Sequence, residues 1–152
     1  MQERLHFRET GADAMKALRG VSAYTQGCGL EPALMELVKM RASQINGCAY
    51  CLEMHSRDAR RHGETEQRLY LLNAWRESPL YSPRERAALA WTEAVTLIAD
   101  THAPDDVYDE VRAQFDEKEM GDLTVVIGMI NLWNRLQIAF RGQYPVEAKR
   151  AA

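Results

Sequence analysis

Residues 36–63, ELVKMRASQINGCAYCLEMHSRDARRHG, contain two helix-forming segments separated by a short break. In the first segment, apolar residues recur at the three- and four-residue spacing of a helix. The pair Asn46-Gly47 is typical of a helix end. A second helix is then predicted from Cys48 to about His62. The stretch thus predicts two consecutive helices, the second of which begins at a cysteine.

The same helical periodicity extends over most of the chain, and strand signals are nearly absent. We therefore predict a single all-α domain, spanning residues 1–152, with about six helices and no internal repeat or linker. Residues 20–29, rich in Gly, Ser and Thr, are predicted to form a loop. The predicted helices cover residues 31–45, 48–62, 65–76, 82–99, 104–115 and 117–141, with a short additional helix at 13–19.

The C-terminal helix, predicted over residues 117–141, is apolar around its whole circumference. Twelve of the 19 residues from 122 to 140 are apolar, and a helix of this kind is buried in a core or against a partner chain. We therefore expect a homo-oligomer. Asn131, Asn134 and Arg135 make this helix a poor membrane span, and we expect them to form hydrogen bonds between helices or subunits. Trp75, Trp91 and Trp133 are interpreted as core or interface aromatics.

Composition excludes several classes of function. The formal net charge is −3, whereas a nucleic-acid-binding protein usually carries a basic face. The N-terminal residues MQERLHFRET lack the apolar stretch of a signal peptide, so we expect a cytoplasmic protein with no membrane partner. In a reducing compartment, three cysteines are not a disulfide framework, and a CxxC pair indicates metal binding or redox chemistry.

Cys48, Cys51 and His55 are spaced three and four residues apart, so they share one face of the second helix. Both thiols lie in the first turn, where free backbone N–H groups and the helix dipole favour the thiolate. His55 can exchange a proton with Cys51 one turn earlier, which is the arrangement of a nucleophile beside a base.

Two other interpretations of the cysteines remain open on spacing alone. A structural zinc site needs four ligands, and only these three are close in sequence, because His62 is nearly two turns further on and Cys28 lies in the predicted loop. Alternatively, the cysteines are small buried apolar residues and His55 is an ordinary helix histidine.

The constellation also requires a carboxylate to orient the histidine. Helical angles predict that Glu53 and Asp58 point away from the cysteine face. Glu36 lies on the preceding helix and, taken alone, is interpreted as a solvated surface residue.

Three segments together resemble one known family: residues 36–63, SPRERAALAWTEAVT at 82–96 and INLWNRLQIAF at 130–140. They are similar to the alkylhydroperoxidase D-like (AhpD-like) proteins of the carboxymuconolactone decarboxylase superfamily. The resemblance implies an all-α fold that assembles into trimers or hexamers, and a two-cysteine peroxidase that needs no cofactor or metal. It also implies that Glu36 belongs to the proton relay, in contrast to the surface position inferred from its local sequence.

By the same resemblance, Cys51 attacks the hydroperoxide substrate and Cys48 resolves the product to a disulfide. His55 passes protons between Cys51 and Glu36, and a dithiol reductant such as a lipoyl protein restores the thiols. Tyr50 departs from the pattern, because the best-known members carry a histidine there. The decarboxylase branch lacks the CxxC pair, which argues against lactone decarboxylation.

A second hypothesis follows from the departure of this chain from the family pattern at Tyr50. The chain would then be a non-enzymatic redox-sensing or scaffold oligomer whose reversible CxxC disulfide changes its shape or its partners. Stoichiometric oxidation without turnover distinguishes such a sensor from a peroxidase.

Overall fold

A computed structural model describes residues 2–146, and every regular element in this part of the chain is helical. Six of the helices have eight residues or more, which confirms the predicted all-α class with about six helices. Met1 and residues 147–152 of the predicted 1–152 domain lie outside the described residues. The helices are α1 (Phe7–Thr10), α2 (Ala12–Gly27), α3 (Pro32–Asn46), α4 (Ala49–Arg61), α5 (Glu66–Leu71), α6 (Pro83–Thr96), α7 (Ile98–Thr101), α8 (Asp105–Arg112) and α9 (Glu117–Phe140), with a 3₁₀ turn at Leu72–Ala74.

Helix α3 is the central element, because it packs against α4, α6 and α9. Leu37 and Val38 on α3 are fully buried, and they belong to two separate apolar clusters that meet at this helix. Full burial of such a side chain contributes roughly 1.5–3 kcal/mol. Since α3 is held on three sides, the polar side chains that it directs toward α4 and α9 have fixed positions.

The break between α3 and α4 has the predicted position and a clear local cause. Gly47 has a left-handed backbone with φ of 69°, a conformation that glycine adopts without steric cost. Its N–H donates to carbonyls of the last turn of α3, so the helix ends there. Cys48 consequently becomes the N-cap of α4. Likewise, α6 begins at the predicted position, where Ser82 and Glu85 form a capping box.

The prediction of a loop at residues 20–29 is wrong. Helix α2 continues to Gly27, because it packs against α9 and buries Met15 and Thr25 along its inner side. Tertiary packing here outweighs the weak helix propensity of glycine, serine and threonine. The helix predicted over residues 82–99 ends at Thr96, where the hydroxyl of Thr101 donates to the carbonyl oxygen of Ala94 at 2.6 Å and supports a turn.

Within the described chain, helix α9 is buried along one side only, and cover of its other side by a partner chain stays a prediction. Leu123 and Ile127 are fully buried, whereas Val125, Leu132 and Ile138 are between 36% and 46% exposed. By length and composition α9 is also the one helix of the described residues that could cross a membrane, a test that the core helix of a soluble protein passes as well. Its outer face leaves Val125 and Leu132 uncovered by the described chain.

This uncovered face predicts self-association. We expect light scattering at micromolar concentration to give a multiple of the 17.3 kDa chain mass, because burying exposed Leu and Val side chains drives association. Leu132→Glu is expected to shift the mass toward the monomer, while Tyr70→Glu on exposed α5 serves as the matched control. A monomeric wild-type protein would contradict the prediction.

Candidate active site

The two sulfur atoms of the CxxC pair lie side by side at the start of α4. The Cys51 N–H donates to Cys48 Sγ at 3.4 Å, and the Cys48 N–H donates to the Ser43 carbonyl at 3.0 Å. Both cysteines are free thiols and only 1% exposed. They pack against Ala42 of α3 and Ile130 of α9, so three helices enclose the pair.

The surroundings of the two thiols set their pKa values in opposite directions. The Cys51 thiol and backbone N–H and the Asn134 amide donate hydrogen bonds that lower the pKa of Cys48 to about 7, despite its burial. The pKa of Cys51 is raised, because its thiol donates to Cys48, it is buried, and its ionisation would place two negative charges together. Near neutral pH the pair therefore holds one negative charge and one shared proton.

Glu36 and His55 form a buried contact between α3 and α4, with 2.7 Å between Glu36 Oε2 and His55 Nδ1. Lys39 Nζ lies 2.7 Å from the other carboxylate oxygen, Oε1. Glu36 is 7% exposed, so the surface position inferred from its local sequence is wrong. This contact engages Nδ1 of His55, which leaves Nε2 as the ring nitrogen that can exchange a proton.

The carboxylate of Glu36 is ionised in spite of its burial. Burial favours the neutral acid, but hydrogen bonds from His55 and Lys39 and the charges of both groups outweigh it, so the pKa of Glu36 lies below its usual value. The chain thus holds a fixed negative charge beside the ring of His55.

Asp58 lies in the same group, although helical angles predicted that it points away from the cysteine face. Its carboxylate, that of Glu36 and a ring nitrogen of His55 all lie within 4.8 Å of one another. Asp58 follows His55 by three residues, so the two share a face of α4. Glu53, by contrast, pairs with Arg57 at 2.9 Å on the outer side of α4.

Metal binding was one interpretation of the CxxC pair. Among the described residues, the group with metal-ligating geometry consists of Glu36, His55 and Asp58 and includes neither cysteine. Both oxygens of Glu36 already have partners, since Lys39 and His55 occupy them. The ammonium group of Lys39 also opposes a second cation there. Cys28 packs against a different apolar cluster from the pair, and its thiol donates to the Thr25 carbonyl.

A cavity of about 630 Å³ opens beside Cys51, Glu36 and His55, whereas Cys48 is not among its lining residues. Cys51 is therefore the thiol that faces the cavity. Trp133, interpreted from the sequence as a core or interface residue, is half-buried and lines the cavity. The apolar part of the wall is formed by Leu5, Phe7, Met15, Met54, Val126, Met129, Ile130, Trp133, Leu136 and Phe140.

Asparagine side chains join α9 to the end of α3 next to the thiols. The Asn46 amide donates to Asn131 Oδ1 at 2.9 Å and to Asn134 Oδ1 at 2.8 Å. Asn134, which is fully buried, donates to Ser43 Oγ at 3.0 Å. The predicted hydrogen bonding between helices is confirmed for Asn131 and Asn134, whereas Arg135 bonds to Asn131 within α9. The role of Asn134 as a donor to the thiols had no signal in the sequence.

Comparison with known proteins places this helical dithiol site in a family. Residues 11–94 match the model of the carboxymuconolactone decarboxylase family. The chain is 45% identical over 139 residues to the uncharacterized protein YdfG of Bacillus subtilis, covering 91% of this chain and 95% of that protein. It is 32% identical over 110 residues to the uncharacterized protein YnjA of Escherichia coli, covering 72% of this chain and 60% of that protein. The chain therefore belongs to the carboxymuconolactone decarboxylase family.

Solved structures share the fold. A protein of unknown function from Agrobacterium tumefaciens, described as a candidate antioxidant defence protein AhpD, superposes with a TM-score of 0.93 at 46% identity, covering 96% of this chain and all of that one. The debrominase Bmp8 superposes with a TM-score of 0.80 at 23% identity, covering 90% of this chain and 73% of that one, and this similarity concerns the fold alone. The expected AhpD-like fold is thereby confirmed.

The position of Asn134 predicts a measurable effect on thiol ionisation. Asn134→Ala removes a hydrogen-bond donor from the thiolate, so the apparent pKa of the pair is expected to rise above the value of about 7 at Cys48. The pH dependence of thiolate absorbance near 240 nm measures this change. Asn131→Ala is the matched control, since Asn131 also binds Asn46 but is not one of the groups that shift the thiol pKa values. An unchanged pKa in Asn134→Ala would contradict the prediction.

Proposed function

We propose that the protein is a two-cysteine thiol peroxidase that reduces organic hydroperoxides. The observation that carries the proposal is the shared cavity: the Cys51 thiol and the Glu36–His55 pair line it together, with Cys48 directly behind Cys51. A substrate in this cavity meets one thiol, one proton donor and an apolar wall. The second thiol is close enough to form a disulfide.

In the first step, Cys51 Sγ attacks the terminal oxygen of the hydroperoxide and the O–O bond breaks. The proton of Cys51 passes to the Cys48 thiolate along their hydrogen bond. The leaving alkoxide takes a proton from the ring of His55, which Glu36 holds in position through Nδ1. The products are an alcohol and a sulfenic acid on Cys51, so the sulfur is oxidised as the peroxide is reduced.

In the second step, Cys48 Sγ attacks the sulfenic sulfur of Cys51. The departing hydroxide takes up the proton of the Cys48 thiol and leaves as water. A Cys48–Cys51 disulfide remains, and an external dithiol reduces it by thiol–disulfide exchange. A lipoyl group on a carrier protein has the required chemistry, and the predicted cytoplasmic location would supply such a donor.

The comparisons support this proposal at the level of the family. The Agrobacterium protein, at 46% identity, is described as a candidate antioxidant defence protein AhpD. The reactive groups of the site are thiols and their proton donors, and lactone decarboxylation makes no use of a dithiol. The CxxC pair therefore favours redox chemistry over the reaction after which the family is named.

A redox-sensing function is the second candidate, and the burial of the dithiol favours it. Each sulfur belongs to a residue that is only 1% exposed, so a protein reductant can reach the disulfide only with a group that enters the cavity beside Cys51. A sensor would be oxidised once per chain and would change its shape or its assembly without sustained turnover.

The peroxidase proposal predicts distinct effects of the three cysteines. With cumene hydroperoxide as substrate and dihydrolipoamide as reductant, Cys51→Ser is expected to lose turnover by at least about 10³-fold, because serine is a far weaker nucleophile. Cys48→Ser is expected to accumulate sulfenic acid and to lose sustained turnover, because no resolving thiol remains. Cys28→Ser is the matched control and should retain the wild-type rate, because Cys28 does not line the cavity.

Titration of free thiols separates the candidate functions. One equivalent of hydroperoxide should remove two thiols per chain in both cases, and only the peroxidase should then consume further peroxide when a dithiol is supplied. Turnover that persists in Cys51→Ser would contradict the assigned attacking residue. Two-thiol oxidation without turnover across a range of dithiols would favour the sensor.

A further inference from the structure

An N-terminal segment, named the strap and comprising residues 3–9, lies across the end of α9. The Arg4 backbone N–H donates to the Phe140 carbonyl at 2.9 Å, and its guanidinium donates to the Ala139 carbonyl at 3.2 Å. The ring of Phe7 stacks on that of Phe140, with 5.5 Å between centroids. These contacts attach the strap to the last turn of the C-terminal helix.

The strap also reaches the turn that carries the cysteines. Arg8 Nη2 donates to the Tyr50 hydroxyl at 2.9 Å. Tyr50 stands between Cys48 and Cys51, at the position where the best-known proteins that this chain resembles carry a histidine. The hydroxyl of Tyr50 reaches Arg8 in the strap. In this chain the tyrosine therefore connects the cysteine turn to the strap.

Together these contacts make the strap one wall of the cavity. Leu5, Phe7 and Arg8 line the same space as Cys51 and Trp133. The strap is itself thinly packed, since Leu5 is 37% exposed and α1 buries no residue. Such a segment has few buried contacts and its hydrogen bonds are exposed. The free energy needed to detach it is therefore much smaller than the free energy of unfolding the whole domain.

We propose that the strap, anchored by Arg8 to Tyr50 and by Phe7 to Phe140, determines the size of the molecules that reach Cys51. Small hydroperoxides enter past the closed strap, and bulky apolar ones enter only when it lifts from Tyr50. Phe7, Arg8 and Tyr50 are then specificity-determining residues. As a statement about substrate choice this rests on the proposed peroxidase function, but access to the thiol is testable without it.

Alkylation of Cys51 measures this access directly. In a Cys28→Ser background, the rates of modification by iodoacetamide and by bulky N-(1-pyrenyl)maleimide are compared, with the modified cysteine identified by peptide mass spectrometry. A change in the intrinsic reactivity of the thiol alters the rates with both reagents and cancels in their ratio. A change in the ratio therefore reports access to Cys51.

The variants are Arg8→Met and Tyr50→Phe, which remove the hydrogen bond from either side, and Phe7→Ala, which removes the stacked ring. Each is expected to raise the ratio of bulky to small reagent by about threefold to tenfold, the range expected when one hydrogen bond or ring contact no longer holds the strap closed. Arg19→Met removes a charge from an exposed position on α2 and is the matched control.

A ratio that stays at the wild-type value in all three variants would overturn the proposal, as would equal acceleration of both reagents. A second measurement extends the test to turnover: the ratio of kcat/KM for cumene hydroperoxide to that for hydrogen peroxide should rise in the same variants. If none of the proteins reduces peroxides, the alkylation ratios still decide whether the strap controls access, and only the proposed function fails.

Discussion

The 2.7 Å contact between Glu36 Oε2 and His55 Nδ1 is the interaction on which the geometry of the candidate site depends. A buried carboxylate is strongly unfavourable without partners, and here the partners are His55 on α4 and Lys39 one turn further along α3. The contact therefore requires α3 and α4 to lie against each other with a fixed register. The apolar clusters around α3 and the left-handed turn at Gly47 supply that register.

The candidate site holds negative charge in two places. One charge is shared by the two sulfurs and favours Cys48, and the other is fixed on Glu36. Cys51 faces the cavity and stays protonated until its proton has an acceptor. Under the proposed peroxidase function, this division would keep the buried dithiol reduced until a hydroperoxide binds beside Cys51 and His55.

The parts of the structure that follow local rules were predictable from the sequence. The end of α3 at Gly47, the position of Cys48 at the start of α4 and the capping box at Ser82 each depend on neighbouring residues. Glu36 was not accessible to local reasoning, because its partner His55 is 19 residues away on another helix. Only the resemblance to AhpD-like proteins indicated its role. The cavity and the Arg8–Tyr50 contact, which spans 42 residues, arise from tertiary packing that leaves no periodic trace in the sequence.

Glu36 and His55 are expected to act as one proton-transferring unit on the thiols. The decisive measurement is a double-mutant cycle on the second-order rate constant for reduction of cumene hydroperoxide, using Glu36→Gln, His55→Asn and the double variant. Loss of an acid–base group costs about 10²- to 10⁴-fold, and residues of one unit are strongly non-additive. We therefore expect the double variant to be no slower than the slower single variant. Losses that multiply in the double variant would show that the two residues act independently and would contradict the proposed unit.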